Sequence, residues 1–140
     1  MAGAIPPLPP FEDAAAARFY ELLRGRRLAF PRCDGCARTF VPPRARCPRC
    51  FSVELSWIDA PTRGTLYAFT RQPFGLRFVK PEVIGIVELQ LDGPARLLTR
   101  IDAPFAELAV GMPVALDFLE PEPGVVLHQF RPVKTTASPP

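Results

Sequence analysis

The apolar positions of the chain predict one helix near its start. Over residues 11–24 apolar side chains recur at helical spacing, and Gly25 provides a stop. Glu12 and Asp13 are placed in the first turn of this helix, where acidic groups suit the helix dipole. Its apolar stripe comprises Ala15, Phe19, Leu22 and Leu23. Such a stripe usually covers the chain's own core, and the alternative is that it docks on a partner.

Beyond Trp57 the pattern changes to short apolar or alternating runs, which are typical of strands. Five strands are predicted, at residues 65–70, 83–91, 96–101, 114–118 and 125–130. A short helix is predicted at 104–110, ended by Gly111. Five strands with a helix between the third and the fourth are the element order of an OB-fold barrel. The sequence therefore predicts a mainly β protein that begins with one helix.

Helix-breaking residues support this fold class. The chain has 19 prolines and 9 glycines among 140 residues, which argues against a bundle of long helices. The hydrophobic fraction is 48%, enough for one packed domain or for two very small ones.

The four cysteines form two Cys-x-x-Cys pairs. Cys33 and Cys36 are followed, after ten intervening residues, by Cys47 and Cys50. Two residues between the thiols let both sulfurs of a pair point inward from one tight turn, here called a knuckle. Two knuckles supply a closed tetrahedron of soft ligands, which suits zinc. Because the protein fills all four positions, the predicted role of the metal is structural.

Two alternatives remain for these cysteines at this stage. The first is two disulfides or two unrelated thiol pairs, which the lack of a secretion signal disfavours. The second is iron in a rubredoxin-like site, which the spacing does not separate from zinc.

The chain therefore divides into four predicted parts. Residues 1–27 are a flexible leader and the helix, and residues 28–55 are a zinc ribbon. Residues 56–134 are the OB-fold barrel, and residues 135–140 are a disordered tail.

Charge is concentrated around the cysteines. The formal net charge is only +3, but the window from Arg24 to Arg49 holds eight arginines and one acid, Asp34. The window carries +7, or about +5 once four thiolates and one zinc are included. It is either a basic binding patch or the result of arginine being the common cation of this chain.

Few residues are suited to catalysis. The single histidine, His128, lies within an apolar predicted strand, where a structural role is the usual one. The serines, Ser52, Ser56 and Ser138, stand in no nucleophile-elbow context. No glycine-rich phosphate loop occurs. The sequence does not predict a self-sufficient enzyme.

The sequence predicts no targeting or membrane segment. Residues 1–10 contain four prolines and no cation, unlike a signal peptide, and no apolar run approaches the ~18 residues that span a bilayer. We therefore expect a soluble, cytoplasmic protein.

The cysteine segment, Cys-Asp-Gly-Cys-Ala-Arg-Thr-Phe-Val-Pro-Pro-Arg-Ala-Arg-Cys-Pro-Arg-Cys at residues 33–50, resembles the rubredoxin-like zinc ribbon of the zinc-ribbon/OB-fold acyl-CoA-associated proteins, formerly a domain of unknown function. Further similar segments lie at residues 19–23, 83–89, 96–99, 110–114 and 130–132. The resemblance spans about residues 11–134. One departure is Ala37, because the family usually has glycine after the second cysteine, where a knuckle can need a positive φ.

The resemblance implies a fold of helix, zinc ribbon and OB barrel. It also implies a non-catalytic subunit that assists a thiolase-like enzyme, including steroid side-chain aldolases, or a hot-dog-fold enoyl-CoA hydratase. In such a hetero-oligomer the subunit scaffolds its partner and helps to bind or pass the acyl-CoA thioester.

Residues 69–80 interleave three phenylalanines, including Phe69, with three cations. They form either an acyl- or partner-binding loop or an ordinary barrel loop with core phenylalanines. Aromatic and basic residues on an OB barrel also suit single-stranded nucleic acid, which is the alternative function. The near full-length resemblance favours the acyl-CoA function over it.

Overall fold

The computed structural model describes residues 13–72 and 82–133. Its elements in chain order are α1 (Ala14–Arg24), β1 (Ala29–Cys33), β2 (Leu55–Asp59), β3 (Arg63–Gln72), β4 (Glu82–Gln90), β5 (Pro94–Ile101), a single 3-10 turn (Phe105–Glu107), β6 (Pro113–Glu122) and β7 (Val125–Pro132). Among the described residues, no helix has the length and apolarity that a membrane crossing requires.

Helix α1 begins one turn later than its apolar pattern alone suggests. Asp13 is the N-cap rather than a residue of the first turn, because its carboxylate accepts the Ala15 N–H at 3.0 Å. All four residues of the predicted apolar stripe are buried. Phe19 and Leu23 belong to the main hydrophobic core, so the helix covers the chain's own core. The predicted helix residues 11 and 12 lie outside the described residues.

Strands β1 and β2 form an antiparallel two-stranded sheet that carries the ribbon. Phe30 pairs with Ile58 and Cys33 pairs with Leu55, so the cysteine segment is a long connection between the two strands. Phe30 is fully buried in the main core, whereas Cys33 lies in a separate small cluster with Phe40 and Cys47. Strand β1 thus runs from the main core to the ribbon.

The five predicted strands are confirmed as a closed barrel in the order β3-β4-β5-β7-β6. All neighbouring pairs are antiparallel except β5 and β7, which is the arrangement expected of an OB-fold. Strand β3 pairs with both β4 and β6. At Gly64 a Cβ atom would lie 2.7 Å from the Glu88 carbonyl oxygen, so glycine allows the close approach there.

The helix predicted at residues 104–110 is wrong in length. The structure has only the 3-10 turn, after which Leu108 is extended. The backbone beyond it pairs with β3, since the Gly111 N–H donates to the Leu66 carbonyl and the Leu66 N–H to the Met112 carbonyl. A helix through residue 110 would remove these bonds.

His128 has a structural environment. It lies on β7, its Nδ1 is 2.8 Å from the Thr99 hydroxyl, and its ring packs edge-on against Phe19 of α1 at 5.8 Å. Burial lowers its pKa to about 4. The neutral ring therefore forms part of the contact between α1 and the barrel.

Asp92, in the turn between β4 and β5, connects the barrel to the ribbon. Its carboxylate accepts the Thr39 N–H at 2.7 Å. The adjoining Thr39 hydroxyl, the Thr39 N–H and the nearby Arg32 guanidinium together hold the pKa of Asp92 below its usual value. Arg27, just after α1, makes a second connection: two of its guanidinium nitrogens each lie 2.9 Å from the same carboxylate oxygen of Asp59 on β2.

We predict that acidification weakens the fold through His128. The histidine of the unfolded chain binds a proton near pH 6.5, whereas the folded one does so only near 4. The contribution of His128 to the free energy of unfolding is therefore fully present above about pH 6.5, and it is lost as the pH is lowered towards about 4. His128→Gln cannot ionise, so it should lose less unfolding free energy than the wild type between about pH 7 and 4.5 in urea titrations. Equal losses in both proteins would contradict this role.

We also predict that Asp92→Ala loosens the ribbon from the barrel. Losing the hydrogen bond should cost about 1 kcal/mol and speed hydrogen exchange of the Thr39 amide. Asp92→Asn is the matched control, because it keeps an acceptor oxygen, and should protect that amide nearly as well as aspartate. Unchanged Thr39 exchange in the alanine variant would rule the connection out.

Candidate metal centre

The four predicted cysteines converge on one point. The sulfurs of Cys33, Cys36, Cys47 and Cys50 all lie within 4.8 Å of one another. Two of these separations are 3.4 Å between Cys33 and Cys50 and 3.6 Å between Cys36 and Cys47. Sulfurs on a tetrahedral zinc at the usual bond length stand about 3.8 Å apart. The observed spacing therefore brackets that of a four-sulfur metal site.

The two knuckles have the same local structure. In the first, the Cys36 N–H points to the Cys33 sulfur at 3.4 Å, and the Ala37 N–H donates to the Cys33 carbonyl at 2.8 Å. In the second, the Arg49 N–H points to the Cys47 sulfur at 3.4 Å, and the Phe51 N–H donates to the Cys47 carbonyl at 3.0 Å. The bonds to carbonyl oxygens close each turn, and the N–H groups that point to sulfur stabilise a thiolate.

Each knuckle ends in a left-handed residue. Ala37 has φ 64° and Phe51 has φ 63°, in a region that favours glycine. Ala37, where the family usually has glycine, therefore adopts the positive φ and is strained. The same strain recurs at Phe51, which occupies the equivalent position of the second knuckle.

Local hydrogen bonds favour the thiolate at the first cysteine of each knuckle. Hydrogen bonds from the Cys50 N–H, the largest cause, and from the Arg49 N–H lower the pKa of Cys47 to about 6. They outweigh desolvation, which raises the pKa. The Cys36 N–H is the largest cause of a lowered pKa at Cys33. At Cys50 the Ser52 N–H lowers the pKa, but the neighbouring sulfurs and desolvation outweigh it and raise the pKa to about 11. In the absence of a cation, the neighbouring sulfurs oppose the charging of Cys50.

The donor set fits a soft divalent metal. All four cysteines are free thiols, so the disulfide alternative is not what this structure contains. Cys33 and Cys47 are fully buried, whereas Cys50 is exposed. Four thiolates around one cation leave no position open for water or substrate. Such a metal stabilises the fold and does not activate a substrate.

The basic window is only partly free to bind a ligand. Four of its eight arginines contact the chain itself. Arg27 pairs with Asp59, Arg26 lies 5.5 Å above the Phe118 ring, Arg32 donates to the Ala37 carbonyl, and Arg46 donates to the Phe51 carbonyl. The other four are exposed and form no ion pair or side-chain hydrogen bond with the described residues: Arg24, Arg38, Arg44 and Arg49.

The second predicted binding segment, residues 69–80, is described only as far as Gln72. Phe69 packs against the main core, and its ring lies 5.3 Å from that of Phe105. The Arg71 guanidinium carbon lies 6.0 Å above the same Phe105 ring. Phe69 is thus a half-buried residue at the edge of the core. The rest of the segment, which includes Phe74, Arg77, Phe78 and Lys80, lies outside the described residues.

The sequence analysis missed two features near the cysteines. The sequence identifies Asp92 only as a turn residue, because the Thr39 N–H that donates to its carboxylate is 53 positions away. Phe51 and Val53 are exposed apolar residues after the last cysteine. The repeat of the knuckle could have identified Phe51, since it matches Ala37 in position.

Two family models match adjacent parts of the chain. The ChsH2 rubredoxin-like zinc ribbon domain matches residues 21–56, and the ChsH2 C-terminal OB-fold domain matches residues 57–119. Together they span most of the chain and meet between residues 56 and 57, within β2.

Three relatives agree with these matches. A chain of the solved Ltp2-ChsH2(DUF35) aldolase is 33% identical with a TM-score of 0.78, over 89% of this chain and 98% of that one. A DUF35-family protein of unknown function from Sulfolobus solfataricus shares the fold at 18% identity and a TM-score of 0.57, over 86% of each chain.

The third relative is a curated protein from Thermomonospora curvata, a probable enoyl-CoA hydratase alpha subunit. It is 32% identical over 118 residues, which are 83% of this chain. The match spans 37% of the length of that relative. With both domains matched in order, and with a solved relative covered almost end to end, the chain belongs to the ChsH2 (DUF35) family of zinc-ribbon and OB-fold proteins.

Proposed function

We propose that the chain is a non-catalytic subunit of an acyl-CoA enzyme complex. The observation that carries this proposal is the structural likeness over 98% of the ChsH2 chain of an aldolase that also contains Ltp2. The likeness to part of a probable enoyl-CoA hydratase alpha subunit supports it independently. The enzyme partner is a thiolase-like protein, including steroid side-chain aldolases, or a hot-dog-fold enoyl-CoA hydratase.

The side chains suit such a supporting role. The one histidine is held by Thr99 and packed under helix α1, so it faces no substrate. The convergence of the four cysteines supports a closed metal site. Two of the remaining charged groups in the barrel, Arg100 and Glu82, pair with each other at 2.8 Å. Catalysis then falls to the partner, and this subunit scaffolds it and helps to bind or pass the thioester.

We further propose that Cys33, Cys36, Cys47 and Cys50 ligate one structural zinc. When bound, the ion neutralises four converging thiolates and cross-links the two knuckles. The soft donor set also accepts iron, and metal analysis of freshly purified protein separates the two. The division into a leader with helix (1–27), ribbon (28–55), barrel (56–134) and tail (135–140) is part of the same proposal.

We predict that Cys47→Ala loses the metal, unfolds the ribbon and weakens the enzyme complex, because structural zinc contributes directly to folding. Metal content by mass spectrometry and amide exchange within residues 33–55 check this. Ser52→Ala, two positions after Cys50, is the control and should keep the metal. A Cys47→Ala protein with full metal, a protected ribbon and unchanged partner binding would refute the site.

We predict that the purified chain alone turns over no acyl-CoA ester but forms a stoichiometric complex with one thiolase-like or hydratase-like enzyme. Co-expression with such enzymes from the source genome, followed by light scattering after size exclusion, measures the complex. Turnover of acyl-CoA by the isolated chain would refute the non-catalytic role. Micromolar, salt-sensitive binding of a single-stranded oligonucleotide, with no enzyme bound, would favour the nucleic-acid alternative instead.

A further inference from the structure

We propose that the second knuckle of the ribbon is the anchor by which this subunit docks on its enzyme partner. The surface is here called the ribbon tip and consists of Arg44, Arg46, Arg49, Phe51 and Val53. Its partner is a protein surface with an apolar pocket rimmed by carboxylates. The proposal rests on the proposed function, since the occupant is the acyl-CoA enzyme.

The first observation is that the tip exposes its largest apolar side chains. Phe51 is 65% exposed and Val53 is 58% exposed. Neither belongs to the main core or to the small cluster of the ribbon. These side chains therefore contribute little to holding this chain together, although exposed aromatic surface is unfavourable in water.

The second observation is that the backbone of Phe51 is strained. Its φ of 63° lies in the left-handed region, where a bulky residue is unfavourable. The equivalent residue of the first knuckle, Ala37, adopts φ 64° with only a methyl group. The knuckle itself thus requires no aromatic ring. Phe51 is both strained and exposed, and a ring that inserts into a partner accounts for both features.

The third observation is the charge around this ring. From residue 35 to residue 53 the chain has four arginines and no acid. Arg46 fixes the turn by donating to the Phe51 carbonyl at 2.9 Å. Arg44 and Arg49 are exposed and form no ion pair or side-chain hydrogen bond with the described residues. Arginines beside an exposed aromatic residue are typical of the energetic centre of a protein interface.

This composition selects one kind of occupant. A second copy would present the same unpaired arginines, so two tips would repel each other. A phosphate group alone would use the arginines but not Phe51 or Val53. An acidic protein surface with an apolar pocket uses both.

The decisive experiment separates docking from folding. Phe51→Gly removes the ring and also relieves the strained φ, so it should raise the Tm of the metal-loaded chain by about 2–5 °C. The same variant should weaken binding to the purified enzyme partner at least about 30-fold. Ala37→Gly is the matched control: it relieves the same strain in the other knuckle and should raise the Tm while changing the affinity less than about two-fold. Phe51→Ala should lose affinity without the gain in Tm.

A second pair of variants tests the charge. Arg44→Glu combined with Arg49→Glu should slow association about 10-fold or more and reduce its salt dependence. Arg24→Glu combined with Arg63→Glu makes the same change of charge at exposed positions outside the tip and should have a much smaller effect.

The outcomes distinguish the two proposals. If the wild-type chain binds no acyl-CoA enzyme, the proposed function fails and the docking proposal falls with it. If the wild type binds but Phe51→Gly binds equally well, only the docking proposal is wrong. Loss of free CoA binding or of self-association in the charge variants, with unchanged enzyme binding, would likewise overturn it.

Discussion

The ribbon depends on the convergence of four sulfurs, because its own hydrophobic cluster is very small. Its own hydrophobic cluster consists of Cys33, Phe40 and Cys47, so two of its three buried members are themselves thiols. A segment of this size cannot bury enough apolar surface to fold alone, and small units of this kind use a metal or a disulfide instead. With the cysteines free, mutual repulsion of thiolates opposes the same geometry that a cation would stabilise.

The barrel supplies the second support of the ribbon. Strand β1 carries Phe30 into the main core and ends at Cys33, and the Ala60 N–H donates to the Leu28 carbonyl at 2.8 Å. Helix α1 packs over the same core through Phe19 and Leu23. On the other side, Asp92 reaches from a barrel turn to the ribbon backbone. The ribbon is therefore held at its base by shared packing and at its side by one charged hydrogen bond.

The fold was largely predictable, because its signals are local. Apolar spacing located α1 and the five barrel strands, and the cysteine spacing located the knuckles. The length of the 104–110 helix was not predictable, since the bonds of Gly111 and Met112 to Leu66 depend on strand pairing. Asp92 was missed for the same reason. The exposure of Phe51 follows from its place on the metal knuckle, and composition alone cannot separate it from a core phenylalanine.

Strand β1 links metal binding in the ribbon to packing in the main core. Phe30, which is buried in the main core, and Cys33, which belongs to the candidate metal centre, are three positions apart on this strand. Binding of an ion at one end is thermodynamically linked to packing at the other, so the population of the folded subunit tracks the available metal. Under the proposed function, the quantity of assembled complex would then follow the supply of that metal.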